Sequence, residues 1–374
     1  METKCPICLS NSKQIAELRS ISIEEHKGFE SLNVNCCISC YNYCFQGSAY
    51  NSKYDQDYKD VYTNYHVNQI FEFPERTSKN LIALEDIVQN RLINEKASIL
   101  EVGSNRGDLL YLIKEKYPNV NILGIEPTIF NKKHVLVPTI CSDFNSHLFS
   151  NKFDLIIIKH VLEHIKFPHR FLTELKHLLN DNGYIYIEVP DFEKSLDNCI
   201  DDFIPDHVSY FDENTIRYVV HYAGLSTLKL ENRYFLHLIA SNNGKKDCRF
   251  EKRRNIDHII EKFKFYLKKR EELVDIISHS KNIVFYGVSY YYLRIYQEVY
   301  NLLNTDNIFF YDDNYKEDIE PHFDVPRITN LEKTDLIVIC SNNFQVQQKI
   351  LNKIRQKNIL TPVITPWSSI YYAK

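Results

Sequence analysis

The sequence predicts an α/β protein. A Rossmann-like core of parallel strands is flanked by an amino-terminal cysteine-knuckle domain and by a smaller carboxyl-terminal α/β domain. Three observations carry this reading: two Cys-x-x-Cys pairs near the start, a strand-loop-helix module at Ile99 to Gly107, and a return of strand-helix alternation after Asn282. The implied boundaries are 1–74, 75–254 and 255–374, a division that suits a chain of 374 residues.

Cys5-Pro6-Ile7-Cys8 and Cys37-Ile38-Ser39-Cys40 are two tight knuckles, each able to chelate one side of a tetrahedral ion. Four thiolates suit a structural Zn2+ held by Cys5, Cys8, Cys37 and Cys40, with no open coordination position. The long separation of the pairs predicts a hairpin from Gln14 to Val34, and Cys36 and Cys44 lie close enough to compete as ligands. The remaining thiols, Cys141, Cys199, Cys248 and Cys340, are scattered and read as ordinary buried or surface cysteines. Tyr50 to Phe73 follows, dense in aromatic residues including Tyr54, Tyr58, Tyr62, Tyr65 and His66. Tyrosine offers a flat apolar face and a phenolic hydrogen bond, so Tyr62 and Tyr65 are candidates to line a sugar or nucleotide pocket. The alternative is that this segment packs over the core.

Arg76 to Leu92 reads as a helix leading into the first core strand. Ile99-Leu100-Glu101-Val102-Gly103-Ser104-Asn105-Arg106-Gly107 then describes a buried strand turning into a helix. The glycines let the backbone turn and approach a ligand that a Cβ would push away. The spacing Glu-x-Gly-x-x-x-Gly departs from the dinucleotide fingerprint and suits a ligand without a pyrophosphate. A helix is expected over Arg106 to Lys116. Asn119 to Pro127 reads as a second buried strand ending at Glu126, and an apolar stretch from Val135 to Ile140 precedes Asp143-Phe144. Phe153 to Ile165 combines a central strand with a helix start, and Gly183 to Pro190 is the fifth strand. Helices over His169 to Leu179 and Glu213 to Ala223, the latter closed by Gly224, and strands over Ser226 to Glu231 and Tyr234 to Ala240 complete the core.

In this order the segments resemble the class I S-adenosylmethionine (SAM)-dependent methyltransferases. The resemblance implies a class I methyltransferase Rossmann-like core with SAM as cofactor, contacted by Glu101, Gly103, Ser104, Gly107, Glu126, Asp143, Phe144 and Lys159. In those roles Glu126 accepts the ribose hydroxyls, Asp143 faces the adenine amine, and Phe144 faces the ring. His160 and His164 flank the fourth strand and read as structural, with Glu163 orienting a neighbour.

Between the fifth strand and the last core helix lies Phe203-Ile204-Pro205-Asp206-His207-Val208-Ser209-Tyr210-Phe211. In an open α/β sheet ligands bind beyond the carboxyl ends of the strands, where this loop emerges. Together with the cysteine knuckles and a third α/β domain, it resembles the sugar C-methyltransferases of deoxysugar biosynthesis. That family deprotonates a 4-keto nucleotide sugar with a histidine, which implies His207 as base beside Asp206, with Tyr210 contacting substrate. Asp206 replaces the usual glutamate, and Ile204 stands where a substrate-facing tyrosine is expected. A sugar O- or N-methyltransferase is the first alternative. A non-catalytic zinc-knuckle binding protein on the same scaffold is the second.

Beyond Asn242 a polar stretch and the basic run Lys252-Arg253-Arg254 read as a solvated linker or a phosphate contact. Ile256 to Ser278 is an amphipathic helix. Strands at Asn282 to Gly287, Asn307 to Tyr311 and Asp335 to Cys340 predict a second Rossmann-like sheet. Val288-Ser289-Tyr290 follows Gly287 without a further glycine, which argues against a dinucleotide. In the resembled family this domain helps hold the nucleotide sugar, and Tyr286, Ser289 and Asn314 are the candidates for that contact.

The composition, 44% apolar and 25% charged with a net charge of −4, gives no basic footprint for nucleic acid. No apolar run approaches a membrane span, and the opening Met-Glu-Thr-Lys-Cys is not a signal peptide. The expectation is a cytoplasmic protein, monomeric or homodimeric, acting on a small molecule, with its 10 cysteines serving metal or free thiols rather than disulfides.

Overall fold

The computed structural model describes residues 3–21, 29–47, 74–127, 135–197, 203–204, 206–233, 235–243, 255–287, 307–313, 326–331, 334–341, 344–365 and 371–372. Tyr62, Tyr65, Ser289 and Asn314 lie outside these residues. The chain forms two compact units. One comprises Met1–Glu17, Leu32–Phe192 and Pro205–Ile256; the other comprises Leu18–Ser31, Glu193–Ile204 and Asp257–Lys374. The knuckle cysteines and the central sheet share the first unit.

The chain opens with the hairpin β1 (Lys13–Ile21) and β2 (Phe29–Cys37), then β3 (Tyr43–Gln46) and helix α1 (Pro74–Gln89). The core continues through β4 (Ser98–Val102), α2 (Asp108–Lys116), β5 (Asn121–Ile125), β6 (Thr139–Ile140) and β7 (Phe153–Lys159). Next come α3 (Pro168–His177), β8 (Leu179–Val189), α4 (Phe192–Asp197), β9 (Ser209–Tyr210) and α5 (Glu213–Tyr222). The antiparallel hairpin β10 (Ser226–Asn232) and β11 (Leu236–Ser241) closes the seven-stranded sheet, ordered β10-β11-β8-β7-β4-β5-β6. The strands β4 to β8 run parallel, and β11 alone pairs antiparallel to one of them. This is an α/β Rossmann-like sheet, as the sequence predicts.

Alternate residues of these strands bury into opposite layers, which is why the strands are apolar almost throughout. Leu100, Ile156, Ile158, Ile185 and Ile187 pack with Leu172 and Leu175 of α3 and Val219 and Val220 of α5. Ile99, Leu155, Ile157, Tyr186 and Ile239 pack with Ala83 and Ile87 of α1 and Leu109, Leu110 and Ile113 of α2. Asp212 caps α5: its Oδ1 accepts the Thr215 N–H at 2.7 Å in a capping box.

Boundaries differ from expectation where the backbone turns left-handed. Helix α2 starts at Asp108 rather than Arg106, because Gly107 (φ +85°) ends the loop in a conformation no helix can include. Helix α1 ends at Gln89, with Arg91 (φ 54°) turning the chain. Strand β8 begins at Leu179, earlier than the expected Gly183, because Leu179 already pairs with Phe153 ahead of a register shift.

A second, four-stranded sheet in the order β1-β2-β3-β9 joins the knuckle hairpin to the strand that follows His207. Gln46 N–H donates to the Val208 carbonyl at 3.0 Å on this edge.

In the other unit, helix α6 (Ile256–Ser278) buries Ile259, Phe263, Tyr266, Leu273 and Ile277. The Phe203 ring packs at 5.3 Å from Phe263 and 5.4 Å from Tyr266. The strands β12 (Ile283–Tyr286), β13 (Ile308–Tyr311), β14 (Leu336–Ile339), β15 (Pro362–Ile364) and β16 (Tyr371–Tyr372) form a sheet in the order β13-β12-β14-β15-β16. Only β16 in this sheet runs antiparallel to its neighbour. Helix α7 (Phe344–Gln356) buries Ile350, Leu351 and Ile354 against it.

Candidate active site

The loop after β4 is held against β5 by two bonds to one carbonyl: the Gly103 and Ser104 N–H groups reach Ile125 O at 2.9 and 3.3 Å. Gly103 adopts φ +73°, and a Cβ there would stand 2.5 Å from Val161 Cγ2. A Cβ on Gly107 would stand 2.3 Å from Val137 Cγ2. Both glycines are therefore demanded by backbone conformation and by space. Glu126, buried at the end of β5, accepts the Asn105 N–H at 3.0 Å, so the second carboxylate faces the loop. Glu101 Oε2 and Ser104 Oγ are buried without a hydrogen-bond partner. Orphaned polar atoms of this kind mark a place that a ligand completes. Burial raises the Glu101 carboxyl to about 8, against the lowering pull of the Lys159 charge. Asp143 is exposed, and the half-buried Phe144 ring packs edge-on against Phe171 at 5.2 Å.

The carboxyl ends of the strands carry a row of charged residues in register. Lys159 lies opposite Glu188, and Glu188 lies opposite His237. Lys159 Nζ donates to Asn80 Oδ1 at 2.7 Å and stands 3.9 Å from Glu188 Oε1. His160, left-handed at φ 51°, places Nδ1 3.2 Å from Glu163 Oε1 and Nε2 3.1 Å from Glu188 Oε1. Burial opposes its charge, yet the bonds to Glu163 and Glu188 prevail and raise its pKa. Glu188 is lowered to about 2: desolvation is outweighed by the His160 bond and by the charges of Lys159, His160 and His237. The row continues through His237 Nδ1 to the Tyr186 hydroxyl at 2.8 Å, which donates to Asp86 Oδ2 at 3.2 Å. Arg233 donates to Asp86 Oδ1 at 2.8 Å.

Asn80, Asp86, Tyr186, Glu188 and His237 are residues that sequence reasoning did not single out. Glu188 ends an apolar strand and His237 interrupts one, signals visible in Tyr186-Ile187-Glu188-Val189 and Leu236-His237-Leu238. Asn80 and Asp86 are ordinary polar positions on a helix and carried no such signal.

The loop bearing Asp206 and His207 is pinned under this row. Val208 N–H donates to the Glu163 carbonyl at 2.8 Å. The His164 and His207 rings meet edge-on at 5.0 Å, and His164 Nδ1 lies 2.9 Å from the Asp206 carbonyl and 3.6 Å from its Oδ2. Tyr210 is buried on β9, opposite Cys44.

The knuckles bring Cys5, Cys8, Cys37 and Cys40 together, every Sγ within 4.8 Å of the others. Cys5 and Cys40 are 3.8 Å apart, and Cys8 and Cys37 are 3.6 Å apart. Four sulfurs bound at about 2.3 Å around a tetrahedral ion stand roughly 3.8 Å apart, so the donor set fits Zn2+. Cys36 and Cys44 instead face each other across β2 and β3. Tyr218 of α5 packs against the same apolar cluster as Cys5, Cys37 and Cys40, joining the knuckle to the core.

In the second unit Tyr286 is buried at the end of β12, and its hydroxyl donates to Asp313 Oδ2 at 2.6 Å. Lys353 Nζ donates to the same oxygen at 2.7 Å. Burial and the Asp313 bond push the Tyr286 phenol above its ordinary range.

Residues 76–230 match the family described as "Methyltransferase domain". "N-methyltransferase 4" of Papaver somniferum is 27% identical over 108 residues, covering 25% of this chain and 30% of that protein. The chain thus spans under a third of that relative's length. Among solved structures, an S-adenosylmethionine-dependent methyltransferase from Clostridium acetobutylicum aligns over 51% of this chain and 99% of that one, at 14% identity and a TM-score of 0.36. The SAH-bound CalO1, a methyltransferase in calicheamicin biosynthesis, aligns over 52% of this chain and 60% of that one, at 12% identity and a TM-score of 0.34. The family match covers residues 76–230, less than half of the 374-residue chain.

Proposed function

We propose that this domain is an active SAM-dependent methyltransferase whose acceptor is a carbon of a nucleotide-linked keto sugar, with His207 as general base. The observation that carries the cofactor half is the loop from Gly103 to Gly107, which faces Glu126 and leaves Ser104 Oγ and Glu101 Oε2 buried and unpaired. SAM, when bound, supplies an electrophilic methyl group. The chain's own contribution is to hold it and to prepare the acceptor. Gly103 and Gly107 give the backbone its close approach, and Glu126 accepts the ribose hydroxyls. Lys159 and the exposed Asp143, with Phe144, complete the cofactor contacts.

His207 takes the proton from the carbon next to the ketone, and the electron pair of that C–H bond becomes available to form the new C–C bond. Imidazole is the side chain most often used for such proton transfer. Asp206 precedes it in the chain, and Tyr210 is a proposed contact to the substrate. The four-cysteine knuckle holds a structural Zn2+ and has no part in the reaction. Tyr62, Tyr65, Tyr286, Ser289 and Asn314 are proposed contacts to the nucleotide sugar. A cytoplasmic location suits thiolate ligation of zinc.

The test is incubation with methyl-labelled SAM and a panel of keto and reduced nucleotide sugars, with the product read by NMR. Label on the carbon next to the ketone is the expected result. Label on oxygen or nitrogen overturns the carbon assignment, and SAM binding without transfer to any acceptor returns the chain to the class of binding proteins.

A further inference from the structure

Asp206 adjoins His207 in sequence, yet its carboxylate lies 3.6 Å from His164. The carboxylate gathered with the His207 ring belongs to Glu163: ligating atoms of Glu163, His164 and His207 all lie within 4.8 Å of one another. Glu163 is 1% exposed, and its Oε2 has no hydrogen-bond partner, whereas Oε1 is taken by His160. Its main chain binds the same loop, since the Glu163 carbonyl accepts the Val208 N–H at 2.8 Å. Backbone and side chain of Glu163 thus both meet the loop that carries His207.

We infer that Glu163, rather than Asp206, is the positioning residue for His207, its free oxygen orienting the imidazole and stabilising the imidazolium that forms when His207 takes a proton. The pairing is crossed: Asp206 serves His164, and Glu163 serves His207. A buried carboxylate next to a base fixes its tautomer and favours its charged form. Burial works against ionised Glu163, but the His160 bond and the charges of His164, His160 and His207 outweigh it and lower its pKa, so the carboxylate is available as an anion. The titratable groups around the pair are His160 from the end of β7, His164 beside Glu163, Asp206 from the loop, and Glu188 of β8 acting through His160.

The inference rests on His207 being the base, but its test needs neither SAM nor acceptor. The full-length zinc-loaded protein, labelled with [13C-ε1]histidine, is titrated by NMR, with the His207 signal assigned by its loss in His207→Ala. Glu163→Gln keeps the backbone tie to Val208 and is expected to lower the His207 pKa by about one unit, because a charged partner is replaced by a neutral one. Glu163→Asp is expected to restore part of that shift. Asp206→Asn is expected to leave His207 unmoved and to shift His164, and this arm reads the crossed pairing even where Glu163→Gln fails to fold. In an enzyme turning over, the acid limb set by His207 as base moves with the NMR value in Glu163→Gln. The inference is overturned if Asp206→Asn moves His207 and Glu163→Gln does not. It is equally overturned if added Co2+ binds tightly at a second, thiolate-free site that is lost in His207→Ala, because Glu163, His164 and His207 then form a metal site. If the titrations follow the crossed pairing and no acceptor is methylated, the functional reading fails while the pairing stands.

Discussion

The Tyr43 hydroxyl donates to the Ser209 hydroxyl at 2.6 Å, and Ser209 donates to the Ile165 carbonyl at 3.0 Å. A residue three positions beyond the last knuckle cysteine is thereby tied to the strand that follows His207. The four-cysteine knuckle and the loop that bears His207 are in this way one structural object.

Tyr43→Phe removes that tie and leaves Ser209 its bond to Ile165. A loss of about 1 kcal/mol in unfolding free energy is expected. The SAM affinity should be unchanged and methyl transfer reduced, as measured by urea denaturation, calorimetry and turnover in parallel.

Stripping the knuckle should act in the same direction and more strongly. Elemental analysis is expected to give one zinc per chain, lost in Cys40→Ser. Melting temperature and transfer should fall in that variant while the loop at Gly103 keeps its affinity for SAM, because thiolate ligation supplies folding energy locally. Retention of zinc in Cys40→Ser alongside its loss in Cys44→Ser would reassign the ligands.

Much of this was legible in the sequence, and the reason differs by element. The apolar runs of β4, β7 and β8 declare buried parallel strands, and Gly103 and Gly107 mark left-handed turns that no other residue accommodates without strain. The two cysteine pairs foretell a four-sulfur cluster because each knuckle is local. The pairing of Glu163 with His207 and the register of Lys159, Glu188 and His237 join residues from different strands and loops, so no spacing in the chain reveals them.

The Glu188 carboxylate makes a prediction at acid pH. Its folded pKa is depressed to about 2, below the ordinary 4.5. The stability it contributes is present above the unfolded value and is lost as pH falls from 4.5 toward 2. Glu188→Gln should flatten the acid limb of the stability profile. It should also destabilise the protein at neutral pH by roughly 3–5 kcal/mol, since His160 loses a buried counter-charge. An unaltered acid limb in denaturant titrations at several pH values would contradict this.

Glu101 runs the opposite way. A carboxyl raised from 4.5 to about 8 binds its proton more tightly when folded, so its contribution is present below pH 4.5 and is lost as pH rises through about 8. Glu101→Gln should therefore make the ligand-free protein more stable at pH 8 than wild type, with little difference at pH 4. The same variant should bind SAM more weakly, a trade of stability against function at one buried residue.

SAM is expected to bind on the loop from Gly103 to Gly107. Isothermal titration of SAM into the wild-type protein and into Gly103→Asp tests it most directly, because the substitution places a carboxylate and a strained backbone where the cofactor approaches. One molecule bound per wild-type chain and no measurable binding to the variant are expected. Absence of binding to the wild type, or equal affinity in the two proteins, would contradict this.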